Sequence, residues 1–213
     1  MEKYVVTISR QFGSLGRTIA QRLSEELNIE FWDRDIVEAT AKRMGRSIKT
    51  ISDEEESSKG FFLRKKYWFN MGIYSITDEI FYVQKNIIRD VAAENSCIIV
   101  GRCADSILKD YKNHLSVYIY APFEERVKNC VERLQMDPKE AAKTIREVDA
   151  ARTNYQKKYC PEVNSVFDHK DLMIDSSKLG VDGAVDLIAH VVRNRYRQFH
   201  ILPGKNRIPK SWR

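Results

Sequence analysis

The sequence lacks the features that would place it in a membrane, in a secretory pathway or among zinc and thiol enzymes. No apolar run approaches the roughly 18 residues that a membrane-spanning helix needs. The N-terminal residues show no basic stretch followed by an apolar one, so we expect a cytoplasmic protein with no membrane contact. No two cysteines stand at C-x-x-C spacing, and no histidines form H-E-x-x-H, so we expect reduced, partly buried thiols.

Acidic residues are missing from one end of the chain. Residues 193–213 contain seven basic residues and no acidic one. Because the whole chain has a formal net charge of +6, the remainder carries −1 once those seven are set aside. We therefore expect no nucleic-acid surface on the body of the protein. A solvated basic tail at residues 203–213 is the simplest interpretation, and nucleic-acid contact through it is the weaker alternative.

The hydrophobic pattern predicts one α/β domain over residues 1–213. Short apolar runs at residues 4–9, 29–32, 97–100, 115–120 and 172–174 predict five buried parallel strands. Ile19, Leu23 and Leu27 lie on one face of a predicted amphipathic helix after the first strand. A final helix is predicted over residues 181–193. Strands that alternate with helices favour a central sheet covered by helices on both faces.

Two long helical stretches interrupt this alternation. The first, at about residues 34–95, predicts a helical insert, and the second, at about residues 124–160, predicts a helical lid. Residues 61–82 of the insert are rich in aromatic side chains, which core or partner-helix packing explains more simply than a base-stacking platform. A homodimer seam and a flap over the site are both open for this segment.

A glycine-containing turn between the first strand and the first helix predicts a phosphate-binding loop. Against the pattern G-x-x-x-x-G-K-[ST], aligned on Gly16, the chain has Gln11 at the first glycine, Arg17 at the lysine and Thr18 at the hydroxyl position. A tight connection without a ligand is the alternative. Backbone amides here can bind phosphate, and the Thr18 hydroxyl can bind Mg²⁺. The predicted cofactor-binding residues are Gly13, Ser14, Leu15, Gly16, Arg17 and Thr18.

Five segments in order resemble the cytidylate kinase-like family, within the nucleoside monophosphate kinase group. They are SRQFGSLGRTIAQRL, FWDRDIVEATAKR, IIVGRCAD, VYIYAPFEERVKNCVERL with AAKTIREVDAARTNYQKKYC, and LMIDSSKLGVDGAVDLI, which together span about residues 4–192. The resemblance implies a three-layer P-loop kinase fold. It also implies ATP as donor, Mg²⁺ as cofactor and a nucleoside monophosphate such as CMP as acceptor.

Charged residues that follow predicted strands indicate an acceptor site. Arg102 directly follows a buried strand, and ligands of open parallel sheets bind beyond the carboxyl ends of the strands. Asp33 also follows a strand and is predicted, with Arg34 and Arg102, to bind the acceptor. A structural ion pair between Asp33 and either arginine is the alternative. The segment Asp33-Arg34-Asp35-Ile36 stands where cytidylate kinases carry D-[ST]-G-A, which leaves the acceptor open.

The lid stretch contributes further catalytic candidates. Arg146, Asp149 and Arg152 lie three residues apart and share a broad face of one helix. If this helix closes over the substrates, its guanidinium groups would offset charge on the transferring phosphoryl group. A surface ion-pair helix is the alternative. Arg17, Arg146, Asp149 and Arg152 are the predicted catalytic residues.

Two other classes of function remain open. One is a nucleotide-binding regulatory protein with weakened or lost catalysis, because the acceptor-side motifs are altered. The other is a P-loop kinase that acts on the hydroxyl group of a small non-nucleotide metabolite. That chemistry requires a carboxylate base, and Asp33 is the candidate.

Overall fold

The computed structural model describes residues 3–33, 35–50 and 76–196. All five strands are parallel and form one sheet in the order β2-β3-β1-β4-β5. The strands are β1 (Val5–Arg10), β2 (Glu30–Trp32), β3 (Cys97–Val100), β4 (His114–Tyr120) and β5 (Leu172–Asp175). The helices within the described residues are α1 (Gly16–Leu27), α2 (Asp35–Met44), α3 (Ile76–Glu94), α4 (Ala104–Ile107), α5 (Phe123–Leu134), α6 (Pro138–Tyr159) and α7 (Ser176–Arg195).

Alternate residues of the central strands pack against opposite helical layers, which confirms the predicted three-layer fold. Val6 and Ile8 of β1 belong to the apolar core under α1 and α7. Val5 lies on the other face, in the core with α3 and α4. Side chains alternate in this way because successive Cβ atoms of a strand point to opposite faces. With apolar residues required on both faces, the central strands become continuous hydrophobic runs.

The first and last helices lie together on one face of the sheet. The predicted apolar face of α1 is buried, with Ile19 and Leu23 fully inaccessible to solvent. The last helix begins at Ser176, earlier than predicted, because the Asp175 carboxylate accepts a hydrogen bond from the Ser177 amide at 2.9 Å and caps it. A kink at Gly180 follows this first turn, so the periodic pattern starts after the kink.

The predicted lid stretch contains two helices, α5 and α6. Gln135, at the end of α5, has a left-handed backbone with φ of 54°. Asp137 then caps α6, since its side chain accepts hydrogen bonds from the amides of Lys139 at 2.9 Å and Glu140 at 3.3 Å. Pro138 occupies the first helical turn, where its missing N–H costs nothing. The predicted lid stretch therefore contains two helices with a capped break between them.

The insert contacts the lid through aromatic side chains. Phe81 of α3 stacks on Tyr159 of α6 with ring centroids 4.1 Å apart. Residues 51–75 contain most of the aromatic stretch and lie outside the described residues, so the alternatives of a dimer seam and a flap both stay open. The basic tail at residues 203–213 also lies outside the described residues. None of the described helices is long and apolar enough to cross a bilayer. The four cysteines are free and buried, as predicted.

A buried ion pair joins the loop before β5 to the carboxyl end of the sheet. Lys170 and Asp105 form a salt bridge with side chains only 3% and 4% exposed, and the Ser9 hydroxyl donates to the same carboxylate at 3.3 Å. Removal of one partner leaves an uncompensated charge in the interior, which costs far more than the pair itself contributes.

We therefore expect Lys170→Met to lower the free energy of unfolding by about 3 kcal/mol in urea denaturation. The double variant Asp105→Asn/Lys170→Met should recover most of that loss, because neither site is then charged. Lys143→Met, which removes the exposed pair between Lys143 and Glu147, should change stability by less than about 0.5 kcal/mol. Equal effects at the buried and exposed pairs would contradict this account.

Candidate active site

The loop between β1 and α1 crosses the carboxyl edge of the sheet, and its carbonyl groups are held by side chains from other elements. The Phe12 carbonyl accepts from Arg126 at 3.2 Å, and the Gly13 carbonyl accepts from the Asn129 amide at 2.9 Å. The Ser14 carbonyl accepts from the Ser176 hydroxyl at 2.8 Å. Three consecutive carbonyls are thus fixed by α5 and by the start of α7.

This arrangement sets the direction of the loop amides. In a trans peptide the C=O and N–H groups of one unit point in opposite directions. The amides of Gly13, Ser14 and Leu15 therefore face away from α5 and α7. The first three amides of α1 follow directly, and the initial amides of any helix lack intrahelical acceptors. Across the described residues, the amides of residues 13–18 donate to no protein acceptor.

Six consecutive amides of this kind at a helix N-terminus fit a phosphate group. Their partial positive charges converge with that of the helix dipole, which is the physical basis of anion binding at such ends. Ser14 participates through its backbone, because its hydroxyl is buried and donates to the carbonyls of Gln11 at 2.9 Å and Ile119 at 3.1 Å. The carbonyls of Phe12, Gly13 and Ser14 point away from the amide side of the turn.

The lid helices contact the same loop. The Asp149 carboxylate of α6 accepts from the Phe12 amide at 2.8 Å and from Arg126 of α5 at 2.5 Å. Arg152 donates to the Arg10 carbonyl at 3.0 Å. Of the predicted lid residues, Asp149 and Arg152 therefore reach the loop. Arg146 is exposed and lies over the Phe123 ring, with its guanidinium carbon 4.8 Å from the ring centroid.

Beside the loop, guanidinium groups surround one carboxylate. Arg17 donates to Asp33 at 2.6 Å, and Arg10 lies 3.9 Å from the other oxygen of that carboxylate. Arg102 and Arg152 are close enough to influence the charge of Arg10. With Arg102 set aside, the guanidinium groups of Arg10, Arg17, Arg126 and Arg152 face the carboxylates of Asp33 and Asp149, which leaves a formal excess of two positive charges.

The ionisation of Arg10 reflects this crowding. Burial, followed by the positive charge of Arg152, lowers the pKa of Arg10 to about 9, and Asp33 opposes the shift. Arg10 therefore keeps its charge at neutral pH, at a cost that a bound anion would relieve. Burial also lowers the pKa of Arg152. The site is electrostatically prepared for ligands that carry negative charge.

The positions of the predicted acceptor residues can now be stated. Asp33 and Arg102 lie at the carboxyl ends of β2 and β3, as the sequence predicts, and Arg34 lies outside the described residues. Asp33 is paired with Arg17 and also lies near Arg10. The turn at Arg102 has positive φ at three successive residues: 76° at Gly101, 58° at Arg102 and 55° at Cys103.

Sequence analysis missed two residues that shape the site. Arg10 ends β1, and the criterion used for Arg102, a charge directly after a buried strand, would have found it. Asn129 holds the loop from a position 116 residues away in the chain, and nothing in the sequence indicates that contact.

The sheet order and the amide-lined loop define the class: this is a P-loop kinase fold. The chain belongs to the cytidylate kinase-like family, whose profile matches residues 5–178. A cytidylate kinase from Methanocaldococcus jannaschii is 24% identical over 194 residues, which cover 89% of this chain and 98% of that protein.

Solved structures agree with this fold. An uncharacterised protein from Eubacterium ventriosum is 27% identical with a TM-score of 0.68, over 91% of this chain and 100% of that one. A shikimate kinase from Bacteroides thetaiotaomicron, 11% identical with a TM-score of 0.53 over 89% of this chain and 98% of that one, shares the fold.

Gly13 offers a test of the loop geometry. Its φ is 77°, and a Cβ there would lie 2.8 Å from the Arg126 carbonyl oxygen and 3.0 Å from the Cys130 sulfur. We expect Gly13→Ala to move the loop and weaken ATP binding more than ten-fold in calorimetry. Gly45→Ala is the matched control, since Gly45 has φ of 62° with nothing within 4 Å. It should cost about 1 kcal/mol of stability and leave ATP binding unchanged; equal binding losses would contradict the assignment.

Proposed function

We propose that this protein transfers a phosphoryl group from ATP to a nucleoside monophosphate, with CMP as the first candidate. The observation that best supports this proposal is the excess of positive charge between the loop amides and the turn at Arg102. The amides suit the donor phosphates. The adjoining guanidinium groups suit a second anionic group, which the phosphate of a monophosphate acceptor provides.

The state of Asp33 favours an anionic acceptor over a neutral hydroxyl. A hydroxyl acceptor needs a base to take its proton. Both oxygens of Asp33 face guanidinium groups, those of Arg17 and Arg10. The carboxylate is therefore engaged by cationic side chains rather than by an acceptor hydroxyl. A phosphate oxygen is already ionised and needs no base.

The reaction then proceeds by positioning and charge stabilisation. An oxygen of the acceptor phosphate attacks the γ-phosphorus while the bond to the β,γ-bridging oxygen breaks, and ADP leaves with that electron pair. Arg17 and Arg152 offset the charge on the phosphoryl oxygens. Asp149 holds the lid to the loop through the Phe12 amide and Arg126. Arg146 joins them on closure of α5 and α6 over the substrates.

The residues present also fit the expected cofactor. The Thr18 hydroxyl lies in the first turn of α1 and makes no hydrogen bond to the described residues. No cluster of three acidic, histidine or cysteine side chains suited to a metal occurs among them, so the nucleotide phosphates would supply the remaining ligands. When bound there, Mg²⁺ would neutralise negative charge on the donor phosphates.

The direct test is an acceptor panel. Purified protein is incubated with ATP, Mg²⁺ and each of CMP, dCMP, UMP, AMP, GMP and shikimate, and the products are resolved by chromatography. We expect CDP from CMP, with kcat/KM at least ten-fold above that for shikimate. ATP binding without any product would favour the regulatory alternative. Phosphorylated shikimate without nucleoside diphosphate would favour a metabolite kinase.

Arg17 is the variant of choice for catalysis. We expect Arg17→Ala to lower kcat by about a thousand-fold or more while circular dichroism and thermal unfolding show an intact fold. Arg22→Ala is the matched control. Arg22 lies on the same helix, is also 53% exposed and also pairs with an aspartate, Asp182, away from the site. Near-normal turnover in folded Arg17→Ala would refute the assignment.

A further inference from the structure

The side chain of Arg10 is mostly buried and makes no hydrogen bond with any described residue. It is 19% exposed, and its nearest carboxylate contact is the 3.9 Å approach to Asp33. A guanidinium has five N–H donors. None of the Arg10 nitrogens is among the fully buried side-chain atoms that lack a hydrogen bond, so these donors stay accessible and can bind a ligand. Arg17, by contrast, is 53% exposed and already bound to Asp33 at 2.6 Å.

The stem of Arg10 lies over the first residue of α1. A Cβ built at Gly16 would lie 2.7 Å from Cβ and 3.0 Å from Cγ of Arg10. Arg10 therefore fills the space that a side chain at the start of α1 would enter. In the standard loop a lysine at the start of the helix reaches the β- and γ-phosphates. Here Arg17 stands at the lysine position but is paired with Asp33, and a second guanidinium arrives from the end of β1.

The far end of Arg10 lies against the acceptor-side turn. A Cβ built at Gly101 would overlap Nη1 of Arg10, so this backbone approaches the guanidinium as only glycine allows. One side chain thus spans the gap from the donor loop at Gly16 to the turn that presents Arg102. Under the proposed function, donor and acceptor phosphates would meet in this gap.

We propose that Arg10 is a catalytic residue whose guanidinium contacts the γ-phosphoryl group during transfer. The inference rests on the proposed function and adds a residue that the loop pattern does not identify. The planar fork binds two oxygens at once. Contact with the equatorial oxygens offsets charge that develops as the β,γ-bridging bond breaks.

The test compares ATP and ADP binding by calorimetry in Arg10→Gln. A contact to the γ-phosphoryl group predicts that ATP affinity falls about ten-fold while ADP affinity changes less than two-fold. kcat should fall at least a hundred-fold, and Arg10→Lys should lie between. Arg22→Gln is the control and should leave both affinities and kcat unchanged. Thermal unfolding should show that Arg10→Gln stays folded, because Asp33 keeps its ion pair with Arg17.

Each result either supports or overturns the contact between Arg10 and the γ-phosphoryl group. Equal losses for ATP and ADP would show that Arg10 supports the loop, and unchanged ATP binding with normal kcat would show no contact; either overturns the inference. The proposed function fails separately, when wild-type protein binds ATP but phosphorylates no acceptor, and the ratio of ATP to ADP affinity still tests Arg10. Wild-type protein that binds no ATP would refute both.

Discussion

Hydrogen bonds to the carbonyls of the β1–α1 loop determine what the rest of the site can do. A peptide unit has two polar ends, and fixing one fixes the other. Arg126, Asn129 and Ser176 each hold one carbonyl of the loop, so three amides are directed toward the ligand before any ligand arrives. Such preorganisation removes a reorganisation cost from the reaction step. The three donors come from α5 and the start of α7, so the correct loop requires the correct global fold.

The same contacts couple the loop to the lid. Asp149 binds both the Phe12 amide and Arg126, and Arg126 in turn holds the Phe12 carbonyl. Arg126 is nearly buried at 9% side-chain exposure, so its pair with Asp149 is well shielded from solvent. Movement of α6 away from the site would leave a buried charge without its partner. The observed position of α6 is therefore tied to a formed loop.

Local sequence patterns predict the strands, whereas the geometry of the candidate site depends on contacts between residues far apart in the chain. Five apolar runs gave all five strands, because a strand buried on both faces must be apolar throughout. The helix break at Asp137-Pro138 was readable from its capping residues but was overlooked. The strand order and the Asn129 contact join residues more than a hundred positions apart, and no local signal encodes them. Arg10 lies one residue before the G-x-x-x-x-G-K-[ST] pattern, which begins at the position of Gln11, so the pattern assigns it no role.

The proposed acceptor follows from how the positive charge is distributed. Arg10, Arg17 and Arg152 lie near the Asp33 carboxylate, and like charges held together destabilise the site while no anion is bound. Under the proposed function, a neutral acceptor would leave most of that repulsion in place, because the loop amides would already bind the donor phosphates. An acceptor with its own phosphate would relieve the repulsion once both substrates are bound. The free energy released on that second binding would then be available to draw α5 and α6 inward and exclude water, so an anionic acceptor would be both the better ligand and the better trigger for closure.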